Sequence, residues 1–316
     1  MQSAIGTDLE HAARLLEAGG IVAIPTETVY GLAANAFDES AVLKVFEAKQ
    51  RPAFDPLIVH VGALGDAHKV VRELPPGAEA LMHAFWPGPL TLVLPKRPAV
   101  PDLVTSGLDT VGVRMPRHPL TRALLERLPF PLAAPSANPF GYVSPTTAQH
   151  VADQLGARIP YILDGGPCAV GVESTILGWE GDRWVLYRPG GIALEDIERV
   201  IGTVAQAVKQ VLPAAPGMLE SHYAPRKPVH VGDIDALLRR FAGRRIGIIS
   251  FRNEYPGHRC ELLSERGDLA EAARNLFAVL RDLDGGDCMV ILAERFPDEG
   301  LGRAINDRLR RASAAR

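Results

Sequence analysis

The chain reads as an α/β protein, with one large, twisted mixed sheet and then a small Rossmann-like α/β domain. Three observations carry this. Short β-branched runs alternate with amphipathic stretches up to about residue 211. A proline-dense segment, L-P-A-A-P-G-M-L-E-S-H-Y-A-P-R-K-P at 212–228, then breaks the pattern. Beyond it, strand and helix signals resume on a smaller scale, as in a βαβ unit. The expected organisation is a domain at 1–211, a linker at 212–228 and a second domain at 229–316, and 316 residues suffice for two cores.

The elements follow in order. Thr7-Asp8-Leu9-Glu10 has capping-box spacing, and the helical periodicity behind it runs to Gly19-Gly20. Residues 21–24 form a short strand stopped by Pro25, and 39–48 a helix. L-I-V-H-V at 57–61, L-T-L-V-L at 90–94, T-V-G-V-R at Thr110–Arg114 and P-L-A-A at 131–134 read as further strands. Helices are expected near 77–85, 119–128, 146–155 and 193–211, with a late strand at Arg183–Arg188. In the second domain, strands are expected at Val229–Val231, 245–250 and 289–293. An Arg-rich amphipathic helix, A-I-N-D-R-L-R-R-A, is expected at 304–312.

The composition excludes several classes of function. With 47% hydrophobic and 22% charged residues and a net charge of −3, nothing global favours tight nucleic-acid binding. Cys168, Cys260 and Cys288 are odd in number and far apart, so neither a disulfide framework nor a protein-held metal site is indicated, and a reducing cytoplasm fits. No signal peptide is read at the N-terminus, and no apolar run is long enough to span a bilayer.

Chemistry-bearing residues gather at the ends of the apolar strands. T-E-T-V-Y-G-L at 26–32 follows the first strand, where open α/β sheets collect ligands, so Thr26, Thr28 and Tyr30 are candidates. The bland alternative is that Thr28 caps a turn and Tyr30 packs in the core. Lys49 and Arg51 of K-Q-R are expected in a loop, offering a compact and a planar cation suited to phosphate or carboxylate; K-x-R alone reads better as a solvated helix end, and the flanking R-P-A-F-D-P-L favours a preorganised loop. A-P-S-A-N-P-F-G-Y-V-S-P-T at 134–146 fixes a loop with prolines and presents Ser136, Asn138 and Ser144; it then enters a helix whose free N–H groups favour an anion. Arg114 ends a buried strand and demands an anionic partner, either a structural carboxylate or a substrate. Ser174 and Thr175 are expected exposed at the start of a strand. His60 reads as a satisfied core histidine, and Cys168 lacks a suitably spaced base.

The ordered series T-E-T-V-Y-G-L, K-Q-R-P, W-P-G-P-L-T, S-G-L-D-T-V-G-V-R-M-P-R-H-P, A-P-S-A-N-P-F-G-Y-V-S-P-T, G-V-E-S-T-I and R-P-G resembles the threonylcarbamoyl-adenylate synthases. The linker and terminal helix look like their long, two-domain form with a YrdC-like catalytic domain. That resemblance implies synthesis of threonylcarbamoyl-AMP and pyrophosphate from L-threonine, bicarbonate or CO2, and ATP with Mg²⁺. The product would pass to a tRNA threonylcarbamoyl transferase complex for modification beside the anticodon. By the same resemblance, Thr28, His60, Arg114, Ala134 and Ser174 would face threonine. Arg51, Asp55, Thr110, Ser136, Ser144, Arg188 and Tyr223 would face the nucleotide. Lys49 and Asn138 would join Arg51 and Ser136 near phosphate and carbamate, and the linker would act as a lid. L-E-S at 219–221 departs from the more basic triplet usual in the family. The rival readings are a carbamoyl-transfer enzyme of the same fold, as in hydrogenase maturation, and a non-catalytic double-stranded RNA-binding module. The first would call for zinc-finger and acylphosphatase segments that are absent here. The acidic balance before Pro225 leaves only weak RNA contact.

Overall fold

The structure, a computed structural model, describes residues 4–207 and 215–314. Strands β1 (Ala4–Gly6), β2 (Val22–Ile24), β3 (Gly31–Asn35), β4 (Ile58–His60), β5 (Leu90–Pro95), β6 (Thr110–Arg114), β7 (Leu132–Ala133), β8 (Tyr161–Leu163), β9 (Thr175–Glu180), β10 (Arg183–Arg188) and β11 (Ala205–Gln206) form one mixed sheet. Their order is β1-β8-β2-β3-β7-β4-β6-β5-β9-β10-β11. Strands β12 (Val229–Val231), β13 (Ile246–Ser250), β14 (Arg259–Leu262) and β15 (Val290–Ala293) form a second, parallel sheet ordered β12-β15-β13-β14.

The helices are α1 (Leu9–Glu17), α2 (Glu39–Lys49), α3 (Ala78–Phe85), α4 (Asp102–Thr105), α5 (Pro119–Arg127), α6 (Ala148–Leu155), α7 (Leu194–Ile201), α8 (Ile234–Arg240), α9 (Leu269–Gly285) and α10 (Gly302–Ala312). The first helix is capped by Asp8, which accepts from the His11 N–H at 2.9 Å, rather than by Thr7. Lys49 is the last residue of α2 and not part of a loop; Gln50, at φ 53°, ends the helix in the left-handed conformation. The helix expected over 193–211 stops at Ile201, because Gly202 adopts φ 77° and the chain turns into β11 beside β10. Residues 208–211 of that expectation, and 212–214 of the expected linker, lie outside the described residues.

Two connections position the site. The T-E-T segment joins antiparallel neighbours, since β2 pairs with β3 through Ile24 and Gly31, so it is a tight return and not a crossover into a helix. Parallel pairing of β4 with β6 sets His60 opposite Arg114. The second domain does not stand apart. Its apolar core, built around Leu276, Phe277 and Leu309, takes in Val29 of the T-E-T loop, Val143, Val172 and the linker's Tyr223. First-domain loops and linker are therefore packed against α9 and α10, burying apolar surface from both. Among the described residues no helix is long and apolar enough to cross a membrane.

Candidate active site

A cavity of about 50 Å³ lies at the strand ends. Thr28, His60, Arg114, Ala134 and Ser174 line it, together with Arg51, Ser136, Arg188 and Tyr223. With Thr26, ten of the residues expected from the sequence thus meet in one enclosure. Lys49, Asp55, Thr110, Asn138 and Ser144 are not on its wall.

One end of the cavity is a hydrogen-bonded chain. Arg114 donates from Nη1 to Thr28 Oγ1 at 3.0 Å, from Nη2 to Glu27 Oε1 at 2.5 Å, and from Nε to the Gly88 carbonyl at 3.2 Å. Thr26 Oγ1 lies 2.8 Å from Thr28 Oγ1 and donates to the Val29 carbonyl at 2.6 Å. A hydroxyl has one proton, so Thr28 donates to Thr26 and accepts from Arg114. The structural carboxylate anticipated for Arg114 is therefore Glu27, yet the guanidinium still faces the cavity. Burial raises the cost of the Glu27 charge, but Arg114 and the Arg117 N–H outweigh it and hold its carboxyl below the usual range.

Other residues take roles that differ from expectation. Tyr30 is core: its hydroxyl donates to the Gly166 carbonyl at 2.8 Å and accepts from the Gly165 N–H at 3.1 Å, pinning the D-G-G turn. His60 lines the cavity with Nδ1 unpartnered, and is no satisfied core histidine. Burial, and then Arg114, push its pKa down to about 3, so its imidazole is neutral at physiological pH. Ser174 and Thr175 are buried, not exposed; Ser174 Oγ lies 2.8 Å from Thr91 Oγ1.

Elsewhere on the wall, Arg188 donates to the Ser174 carbonyl from Nε at 3.2 Å and from Nη2 at 3.0 Å, and from Nη1 to the Pro216 carbonyl at 2.9 Å. Arg51 donates to the carbonyls of Asp55 (3.0 Å) and Pro56 (2.8 Å) and sits 2.8 Å from the Asp55 carboxylate. That carboxylate has no well-aligned hydrogen bond, and burial raises its pKa against the pull of Arg51 and Lys49. Lys49 works from behind the wall: Nζ donates to the carbonyls of Ser136 and Asn138, each at 2.5 Å. Its ammonium is depressed by burial and then by Arg51. Asn138 braces the P-F-G-Y loop, donating to Pro139 O (2.8 Å) and Tyr142 O (2.9 Å). Ser144 donates to Glu173 at 2.5 Å. Thr110 sits at the far end of β6 from Arg114, opposite Pro95, so a full strand length separates the two. The N-terminus of α6 carries no bare amide row: Thr147 Oγ1 accepts from the His150 N–H.

The linker closes the site. Pro216, Gly217, His222 and Tyr223 line the cavity. Tyr223 adopts φ 60°, stacks on Phe277 with ring centres 5.6 Å apart, and lies under the Arg308 guanidinium at 5.0 Å. Its hydroxyl and His222 Nδ1 have no partner, and burial followed by Arg51 pushes the His222 pKa down. Before His222, the backbone makes the tie: Leu219 O accepts from Arg311. Arg308, fully buried, is bound at 2.7 Å to Glu173, which also lines the cavity. Sequence reasoning overlooked Glu27, Glu173, Gly217 and Arg308. The signal for Glu27 was available, because a buried arginine requires a carboxylate and the T-E-T motif holds one. A larger groove of about 710 Å³, lined by Tyr142, Arg226 and Arg281, holds no unpartnered buried group, since its cations are tied to Asp284, Gln154 and backbone carbonyls. The smaller cavity is the candidate.

Comparisons with known proteins identify the family. Residues 14–190 match the Sua5/YciO/YrdC family model, described as telomere recombination, and 192–314 match the C-terminal domain of threonylcarbamoyl-AMP synthase. The chain belongs to the threonylcarbamoyl-AMP synthase family. It is 46% identical to the Pyrococcus abyssi threonylcarbamoyl-AMP synthase, over 96% of this chain and 94% of that protein. The Bacillus subtilis enzyme is 43% identical over 98% and 93% of the two chains. The crystal structure of P. abyssi Sua5 complexed with L-threonine superposes with a TM-score of 0.93 at 43% identity, covering 99% and 97% of the chains. A full-length HypF structure shares the fold of part of the chain, with a TM-score of 0.50 at 23% identity over 58% of it. The enzyme is thus a nucleotidyl-transferring synthase with a YrdC-like domain and a second α/β domain.

Proposed function

We propose that the enzyme condenses L-threonine, bicarbonate or CO2, and ATP into threonylcarbamoyl-AMP and pyrophosphate in this cavity, and that the product goes to the complex that modifies tRNA. The carrying observation is that the cavity wall holds two separately built cation sets: Arg114 clamped by Glu27, and Arg51 with Arg188 around Asp55. Arg114 offers a carboxylate one free N–H on each terminal nitrogen, and Thr28, His60, Ala134 and Ser174 surround the amino acid. Arg51, Ser136, Arg188 and Tyr223 face the nucleotide. Asp55, Lys49, Asn138 and Ser144 support that end from behind, holding Arg51, the S-A-N loop and Glu173. Thr110 lies off the cavity wall at the end of β6 away from Arg114, toward the Pro56 carbonyl that Arg51 holds, and so on the nucleotide side.

The threonine amine adds to CO2, giving a carbamate and a proton. A carbamate oxygen attacks the α-phosphorus, and the bond to the β,γ-diphosphate breaks, releasing pyrophosphate. The protein contributes orientation and fixed positive charge. His60 is too weak a base to hold the proton. Mg²⁺ would enter bound to the nucleotide substrate and supply charge neutralisation there. The remaining 50 Å³ falls far below the roughly 300 Å³ that small-ligand pockets begin at, so nucleotide entry requires the segment from Pro216 to Tyr223 to withdraw. A cytoplasmic setting suits the three unpaired cysteines.

The test is pyrophosphate release from ATP. It should require both threonine and bicarbonate; release that is equal without amino acid, or greater with serine, would overturn the reading.

A further inference from the structure

So far Glu27 has been only the structural partner of Arg114. It is buried in the T-E-T loop but does not reach the cavity wall, which Thr26 and Thr28 form on either side of it. Both carboxylate oxygens are committed, Oε1 to Arg114 Nη2 at 2.5 Å and Oε2 to the Arg117 N–H at 2.9 Å. Its carbonyl accepts from the Val170 N–H at 2.7 Å. One residue thereby joins the T-E-T loop, the end of β6 and the loop before β9.

This clamp does two things. It fixes the plane of the guanidinium, which a long flexible side chain would otherwise not hold. It also cancels the guanidinium's charge. The Glu27–Arg114 pair is neutral as a unit, and neither side chain is solvent-screened. A ligand that is only an anion gains hydrogen bonds there but no net attraction. A zwitterion brings an ammonium that the nearby carboxylate favours. The other pole differs, since Arg51, Arg188, Arg308 and Arg311 outnumber Asp55, Glu173 and Asp307 even with the buried Lys49 left out.

We infer that Glu27 determines ligand selectivity at the Arg114 pole: by orienting and neutralising Arg114 it admits a zwitterionic amino acid and rejects simple carboxylates and phosphates, leaving the triphosphate to the Arg51–Arg188 pole. The inference rests on Arg114 being the carboxylate partner of threonine. Glu27 is a positioning residue in this account and touches no substrate.

Calorimetric titration of the full chain with L-threonine and with (R)-3-hydroxybutyrate tests it. The second ligand keeps the carboxylate and hydroxyl and lacks the ammonium. Wild type should bind threonine at least about fiftyfold more tightly, and Glu27→Gln should shrink that ratio at least about tenfold and let inorganic pyrophosphate compete with threonine. Glu27→Asp keeps the charge on a shorter arm, so it should weaken both ligands and preserve the ratio. An unchanged ratio in a folded Glu27→Gln protein would reduce Glu27 to a structural counter-ion and overturn the inference. Should that variant fail to fold, equal wild-type affinity for the two ligands overturns it equally. Arg114→Ala separates the two levels. It should weaken threonine by about a hundredfold. An unchanged threonine affinity would sink the assignment of Arg114 itself, while a lost site with an unchanged Glu27→Gln ratio sinks only the role of Glu27.

Discussion

The two poles of the cavity are built by opposite rules. The Arg114 pole comes from the catalytic domain alone: its cation is paired with Glu27, its hydroxyls satisfy one another, and of its named groups His60 Nδ1 is left without a partner. The Arg51–Arg188 pole borrows from elsewhere. Its cations rest largely on backbone carbonyls, and linker residues fill it. The second domain holds it shut through Arg308 on Glu173 and Phe277 behind Tyr223. Several of its buried polar atoms, the Tyr223 hydroxyl, His222 Nδ1 and the Asp55 oxygens, lack hydrogen-bond partners. Buried polar groups without partners are costly, so this pole is the one organised to exchange its present occupant for a ligand. A preformed fork suits a small amino acid, whereas a nucleotide needs space that only a displaced segment can supply.

The largest way to break this contrast is at Arg308. Arg308→Met strips Glu173 of its buried partner, and loss of one member of such a pair costs about 3–5 kcal/mol of stability. Thermal unfolding should record that loss, and the KM for ATP should rise while threonine affinity stays within twofold or so. Equal damage to both substrates would show that the poles are not independent.

A subtler lever is Gly217. It adopts φ 74°, and a Cβ there would come within 2.4 Å of the Tyr223 hydroxyl and 2.8 Å of Arg188 Nη1. Gly217→Ala should destabilise the closed linker by on the order of 1–2 kcal/mol, seen as faster proteolysis of the linker with threonine binding unaltered. An unaltered cleavage rate would mean that the closed arrangement does not depend on that contact.

A third test comes from acid. His60 has a folded pKa of about 3 against an ordinary 6.5, so between those values the unfolded chain binds the extra proton. Stability contributed by neutral His60 is present above pH 6.5 and is lost as pH falls toward 3, by at most about 1.4 kcal/mol per unit. His60→Asn should flatten that slope in urea titrations at pH 6.5 to 4. An undiminished slope would assign the acid sensitivity elsewhere.

Several features were legible in sequence because they depend on local pattern. T-V-G-V-R at Thr110–Arg114, R-W-V-L-Y-R at Arg183–Arg188 and V-H-V at Val229–Val231 are strands over the expected residues, since β-branched and aromatic side chains favour the pleated backbone. β3 and β8 were not legible. G-L-A-A-N is poor in strand formers, and Y-I-L is only three residues long; each is a strand because neighbours on both sides supply its hydrogen bonds. Lys49 illustrates the same limit for the site. Its place in a K-Q-R motif suggested an exposed phosphate contact, but α2 runs one residue further and turns its ammonium onto loop carbonyls.

The sequence by itself determined the class of fold, the family and the identity of most cavity residues, because each of these is written in short, contiguous motifs. Only the tertiary structure decided which of them face the cavity, that Glu27 partners Arg114, and that a buried arginine of the last helix bears on the catalytic wall. Those relations join residues about 90 to 135 positions apart, such as Glu27 to Arg114 and Glu173 to Arg308. The direction of a buried charge is set by the partner that folding brings to it, and no local spacing encodes that partner.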